Sequence, residues 1–120
     1  MERVRFITHK NKSILFIDLS KCSKEHALEA IEKSKSIIKE QPKNSVLALT
    51  DITNESVYIP EFFLAIEDFV RHNRPYIKAS AVIASGELLK LFVDTISNLT
   101  QRNFSIFEDI EKAKDWLIEL

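Results

Sequence analysis

The stretch ASAVIASGELLKLFVDTISNLTQRNFSIFEDIEKAKDWL, from Ala79 to Leu117, decides the fold. Ala79-Ser80-Ala81-Val82-Ile83-Ala84 is small and apolar, as suits a strand lying between helices. Ser85-Gly86 breaks the run, and an apolar-rich helix is expected from about Gly86 to Thr100. Phe104-Ser105-Ile106-Phe107 forms a second strand. Asp109 then has the residue type and place of an N-cap. Behind it Ile110, Ala113, Trp116, Leu117 and Leu120 recur at helical spacing. Two strand–helix units in succession put the chain in the α/β class.

The same pattern extends upstream. Val46-Leu47-Ala48-Leu49 is a continuous apolar run, the pattern of a central parallel strand. After the loop Asp51 to Tyr58, Pro60 opens a helix whose stripe is Phe62, Phe63, Ile66, Phe69 and Val70. His72-Asn73-Arg74-Pro75 ends it. Nearer the start, Val4-Arg5-Phe6-Ile7-Thr8 leads through the polar turn His9-Lys10-Asn11-Lys12 to Ile14-Leu15-Phe16-Ile17, a strand buried on both faces. So short a connection implies an antiparallel hairpin. Ser23 caps the next helix, with Glu25 in its first turn. Its packing face is Ala27, Leu28, Ile31, Ser34 and Ile38, and Pro42 stops it. The expected order is β-β-α-β-α-β-α-β-α, with helices as right-handed crossovers over a mixed, mainly parallel sheet of about five strands. No linker, repeat or low-complexity segment interrupts residues 1–120, which are expected to form a single domain.

Composition narrows the function classes. Seventeen basic residues stand against 18 acidic ones, so there is no electrostatic footprint for nucleic acid, and no nucleic-acid partner is expected. The opening MERVRF lacks the apolar core of a signal peptide, and no apolar run reaches membrane-spanning length. The single cysteine, Cys22, cannot form an internal disulfide, and a cytoplasmic protein is expected. Gly86 is the one glycine of the chain. Dinucleotide fingerprints and Walker-type loops need several, which excludes those motifs rather than nucleotide ligands as such; no cofactor is expected.

Asp18 and Asp51 each end a strand. On parallel neighbours both carboxylates would share the sheet edge where α/β folds place ligands, and Glu108 and Asp109 would lie near them. That row is a candidate for Mg²⁺ or phospho-acceptor chemistry. Against it, the chain opens with a hairpin, no adjacent acidic pair ends the first strand, and aspartates at such positions ordinarily make turns and caps. His9, His26 and His72 lack the spacing of a metal-binding pair. Cys22 precedes a helix whose dipole would lower its pKa, although free cysteines are usually buried and inert. No Ser/His/Asp or Cys/His set can be assembled, and the chain is expected not to be an enzyme.

The order of elements and the C-terminal third resemble the SpoIIAA-like branch of the STAS/SEC14-like family. The matching residues are Val82-Ile83-Ala84-Ser85-Gly86, then Leu88-Leu89 and Phe92, then Phe107-Glu108-Asp109, and finally Ala113 with Trp116-Leu117. The resemblance implies a STAS-type fold and a non-enzymatic module that regulates partners or senses ligands. It also implies dimers and, from the SEC14-like side, apolar or lipid-like ligands. In the anti-sigma-factor antagonists of this family, a phosphorylated Ser in an Asp-Ser-Ser-Gly-like turn opens the second helix. Here that loop reads Asp51-Ile52-Thr53-Asn54-Glu55-Ser56-Val57-Tyr58-Ile59-Pro60, without the Ser-Ser-Gly. Ser56 or Thr53 is the hydroxyl that a phospho-switch would have to use.

Apolar surplus points the same way. On the third helix Leu88, Leu89, Leu91, Phe92, Val93, Ile96 and Leu99 span roughly 200° at about 100° per residue, whereas a core stripe needs little more than about 100°. Leu91 and Val93 lie at opposite ends of that arc, so one edge should stay accessible. Leu64 adds a leucine outside the stripe of the second helix. Three readings follow: a thick core with a few exposed leucines, a homodimer or protein-partner interface, or a pocket for lipid or another apolar small molecule, with peripheral membrane contact. The candidate residues are Tyr58, Ile59, Phe62, Phe63, Leu88, Leu91, Phe92 and Thr95.

Overall fold

β1 (Val4–His9) and β2 (Lys12–Asp18) form the expected antiparallel hairpin, in register from Val4 opposite Ile17 to His9 opposite Lys12. Lys10 and Asn11 turn the corner at φ 48° and 70°, the two positive values that a type I′ turn requires. His9 therefore closes the ladder, where its polarity had placed it in the turn. The computed structural model describes residues 3–21, 23–52, 60–101 and 104–119, apart from the side chains of Pro60, Phe62 and Leu88. Tyr58, Ile59, Ser56, Thr53 and Cys22 lie outside the described residues.

The chain continues through α1 (Lys24–Ile38), β3 (Val46–Asp51), α2 (Pro60–Asn73), β4 (Ile77–Ile83), α3 (Glu87–Thr100), β5 (Ser105–Phe107) and α4 (Ile110–Ile118). This is the order read from the sequence, and the chain is an α/β protein. The five strands lie side by side in chain order, β1-β2-β3-β4-β5, and every pair after the hairpin is parallel. Crossovers of one hand that always step in the same direction place their helices on the same face. That is the arrangement here for α1, α2 and α3.

Some boundaries differ from the sequence reading. β4 begins at Ile77, because Val46 pairs with Ile77 and a register shift before the Leu47–Ala79 pair leaves Lys78 as the extra residue. A charged residue inside the strand hid those two positions. α1 ends at Ile38, ahead of Pro42, where Glu40 and Gln41 donate back to the carbonyls of Ile37 and Ile38.

Alternate side chains sort onto two faces. Leu15, Ile17, Val46, Ala48 and Val82 join Ala27, Ala30 and Ile31 of α1, Ile66 and Phe69 of α2, and Leu89, Val93 and Ile96 of α3 in one core. Ile14, Phe16, Leu49, Ala79, Ala81 and Ile83 join Ala113 and Leu117 of α4 in the other. Local chemistry starts α1, α3 and α4. Ser23 accepts from the His26 amide, and Asp109 Oδ1 accepts from the Glu111 amide at 2.8 Å. Gly86 precedes α3 at φ 87°, ψ 153°, a conformation essentially confined to glycine. That accounts for the one glycine.

Candidate functional site

The carboxylate row forms in outline. Asp18 and Asp51 are register partners on parallel neighbours. Asp18 Oδ1, however, accepts from the Ser20 amide at 2.9 Å and the Ser20 hydroxyl at 2.5 Å, with Arg3 at 3.8 Å. Glu108 pairs with Lys90 at 3.1 Å, and Asp109 caps α4. Among the described residues, no group of three or more His, Cys, Asp or Glu could hold a metal ion. His9 lies elsewhere, its Nε2 2.7 Å from Asp115 Oδ1. His26 and His72 are exposed. The described residues thus assemble turn and cap chemistry at this edge.

Of the residues singled out for apolar surplus, Phe63 and Phe92 meet at the seam between α2 and α3. The rings of Phe63 and Phe92 meet edge to face, with centroids 5.6 Å apart at 88°, the preferred geometry for an aromatic pair. Toward the C-terminal ends of both helices the seam is polar. Arg71 donates to the Leu99 carbonyl at 2.8 Å and Arg74 to the Thr100 carbonyl at 3.2 Å. These guanidinium groups satisfy carbonyls that the end of α3 would otherwise leave open. Glu67, at 3.0 Å, steadies Arg71.

Outside this closure lie exposed leucines. Leu64 is 63% exposed and Leu91 61%. Leu64 follows Phe63 and Leu91 precedes Phe92 in the chain, so each exposed leucine is the sequence neighbour of one ring of the aromatic contact. Leu99 is also exposed, whereas Val93, at the other end of the α3 arc, is buried. The 200° arc thus divides into a core face and an open shoulder. Thr95 is half-buried, and its hydroxyl donates to the Leu91 carbonyl at 2.9 Å, so it is occupied within its own helix.

Beneath the seam is a cavity of about 50 Å³ with walls that include Ile52, Ile66, Val82, Phe92, Val93 and Ile96. A second, of about 30 Å³, adjoins it and reaches Asn73, Ser80 and Ile77. Thr50, Phe69, Val70 and Phe104 line both. A ligand pocket usually measures ~300–1,000 Å³, and even a benzene-sized cavity is ~150 Å³. An apolar ligand therefore requires α2 and α3 to part. On its far side α2 is tied to α1 by Lys24–Glu61 at 3.2 Å and Lys35–Asp68 at 2.8 Å. The hydrogen bond between the last two raises the Lys35 pKa and lowers that of Asp68.

The sequence reading passed over one residue here. Asn73 is 3% exposed, and its Oδ1 has no hydrogen-bond partner among the described residues. It had been grouped with the polar cluster that ends α2. Its spacing carried the signal: seven after Ile66 and four after Phe69, it falls on the apolar stripe. Compared with family models, curated proteins and solved structures, the chain gives no match.

Proposed function

We propose that this protein is a non-enzymatic, STAS-like regulatory module of the cytoplasm that acts through self-association and protein contacts, using the outer shoulders of α2 and α3. The observation that carries this reading is the pair Leu64 and Leu91, each more than three-fifths exposed and each next in the chain to one ring of the Phe63–Phe92 contact. Exposed leucines on two packed helices would gain by burial against a further surface. Sedimentation at tens of micromolar tests it. The expected result is a dimer that Leu91→Glu converts to monomer. A monomeric wild type, with Leu91→Glu unchanged in mass and solubility, would sink the reading.

The cavities support a second reading, a lipid- or apolar-ligand-sensing domain in the SEC14-like sense. Phe63, Phe92 and Leu91 would border the opening, with Tyr58, Ile59, Phe62 and Leu88 as the further lining residues that the sequence nominates. Native mass spectrometry of protein purified from cells should then show a bound small molecule. Consistently empty protein that also ignores liposomes would remove this reading. Regulation at Ser56 is a separate proposal, and a silent Ser56→Asp would retire it.

A further inference from the structure

We infer that the two cavities are the closed form of one amphipathic site, which takes an apolar molecule ending in a single hydrogen-bond donor, such as an alcohol or a phenol, with the donor on Asn73. The inference rests on the ligand reading above and adds to it a polarity, a direction and a recognition residue.

A carboxamide oxygen buried to this degree without a partner is destabilising, and native folds rarely retain one without a reason. Asn73 lines the smaller cavity with Ser80 and Ile77, whereas the larger cavity is walled almost wholly by aliphatic and aromatic side chains. Asn73 and Ser80 are thus polar groups that the smaller cavity has and the larger one lacks. The seam above is polar at one end. Arg71 and Arg74 pin the C-terminal end of α3 to α2, next to Asn73, while the apolar Phe63–Phe92 contact closes the seam further along. A molecule entering there brings its apolar body against Ile66, Val82 and Ile96 and its leading group to Asn73 Oδ1. An oxygen with no donor selects a ligand that supplies one, since a buried acceptor left unpaired penalises any analogue without the donor.

The test uses three probes of similar shape: toluene, benzyl alcohol and benzyl methyl ether, the last able to accept a hydrogen bond but not to donate one. Binding is followed by NMR through the Val82 and Ile96 methyls and the Asn73 side-chain amide. In the wild type, benzyl alcohol should bind about tenfold more tightly than either other probe, the order expected of one hydrogen bond to a buried acceptor. In Asn73→Leu that preference should fall to about one, with toluene affinity kept and the Tm raised by loss of an unpaired buried oxygen. Equal affinities in the wild type would overturn the role of Asn73 and leave the apolar cleft standing. No binding of any probe up to its solubility limit would overturn both. A preference for benzyl alcohol that survives in Asn73→Leu would place its donor on another group and overturn the assignment. The wild-type comparison stands even if the variant fails to fold.

Discussion

On one face of the sheet a helix of nine residues, α4, reaches all five strands. On the other, helices of 15, 14 and 14 residues stand side by side. The shorter cover is the tighter one. Ala79 and Ala81 on β4 and Ala113 on α4 share one core and bring helix and sheet close. The Trp116 ring lies 5.8 Å from Phe107. The hairpin grips the far end of α4, with His9 and Lys10 on Asp115 at 2.7 and 3.0 Å and Lys12 Nζ donating to the Ile118 carbonyl at 2.7 Å. On the three-helix face, large branched and aromatic side chains mesh less completely and leave two cavities and a buried amide. Its interhelical ion pairs lie at the surface, where each contributes little. Close packing and looseness have been separated onto opposite sides of a single sheet. A ligand or a partner meeting the loose side would disturb the fold least.

Truncation on the tight face should have the largest effect. Leu117 is fully buried in the α4 core, so Leu117→Ala should cost about 2–5 kcal/mol in urea unfolding, the range for buried leucines. A loss well below 1 kcal/mol would mean that α4 packs loosely after all. Enlarging a side chain should then give opposite signs on the two faces. Ala113→Val adds volume at a fully buried position and should cost about 1–3 kcal/mol. Val93→Ile adds one methylene beside the larger cavity and should stabilise by up to about 0.8 kcal/mol. It should also weaken every aromatic probe. Two penalties of similar size would erase the distinction between the faces.

The smallest effect concerns pH. Hydrogen bonds from His9 and then Lys10 lower the Asp115 pKa, and the Lys35 hydrogen bond lowers that of Asp68. A carboxyl whose pKa is lowered by folding contributes its stability above the unfolded value and loses it as pH falls through the folded one. Stability should therefore decline below about pH 4. Asp115→Asn should flatten that acid limb and uncouple α4 from the hairpin, and Asp68→Asn should flatten it without touching α4. Tm measured against pH for the two variants separates the faces. Identical acid limbs in wild type and both variants would contradict the assignment.

Element order was legible because apolar runs of strand length alternate with helical stripes from Val46 onward, and because Lys10-Asn11 suits a tight turn. Composition misplaced His9 and concealed Ile77-Lys78, since register is set by the neighbouring strand, which a single segment does not reveal. Leu91 stood out as surplus through its angle on α3, and its exposure agrees. Leu99 lay inside the same arc, yet is exposed at the end of α3, where Arg71 donates to its carbonyl. The cavities left no trace in the sequence. Whether Phe69 and Phe104 mesh or leave a void is settled at the ångström scale, by rotamers that patterning does not encode. Asn73 was readable, as a polar residue on an apolar stripe, but its neighbours His72 and Arg74 disguised it as part of a helix stop.

Because spatial order repeats chain order across the sheet, each strand that leaves the ribosome finds its partner already made. β3 can dock on β2, β4 on β3 and β5 on β4, with no gap held open for a later insertion. The exception is α4, synthesised after every strand it covers. Until it arrives, Ile14, Phe16, Leu49 and Ile83 form an uncovered apolar surface on a nascent sheet. Until α4 is free to dock, this surface stays open to chaperones.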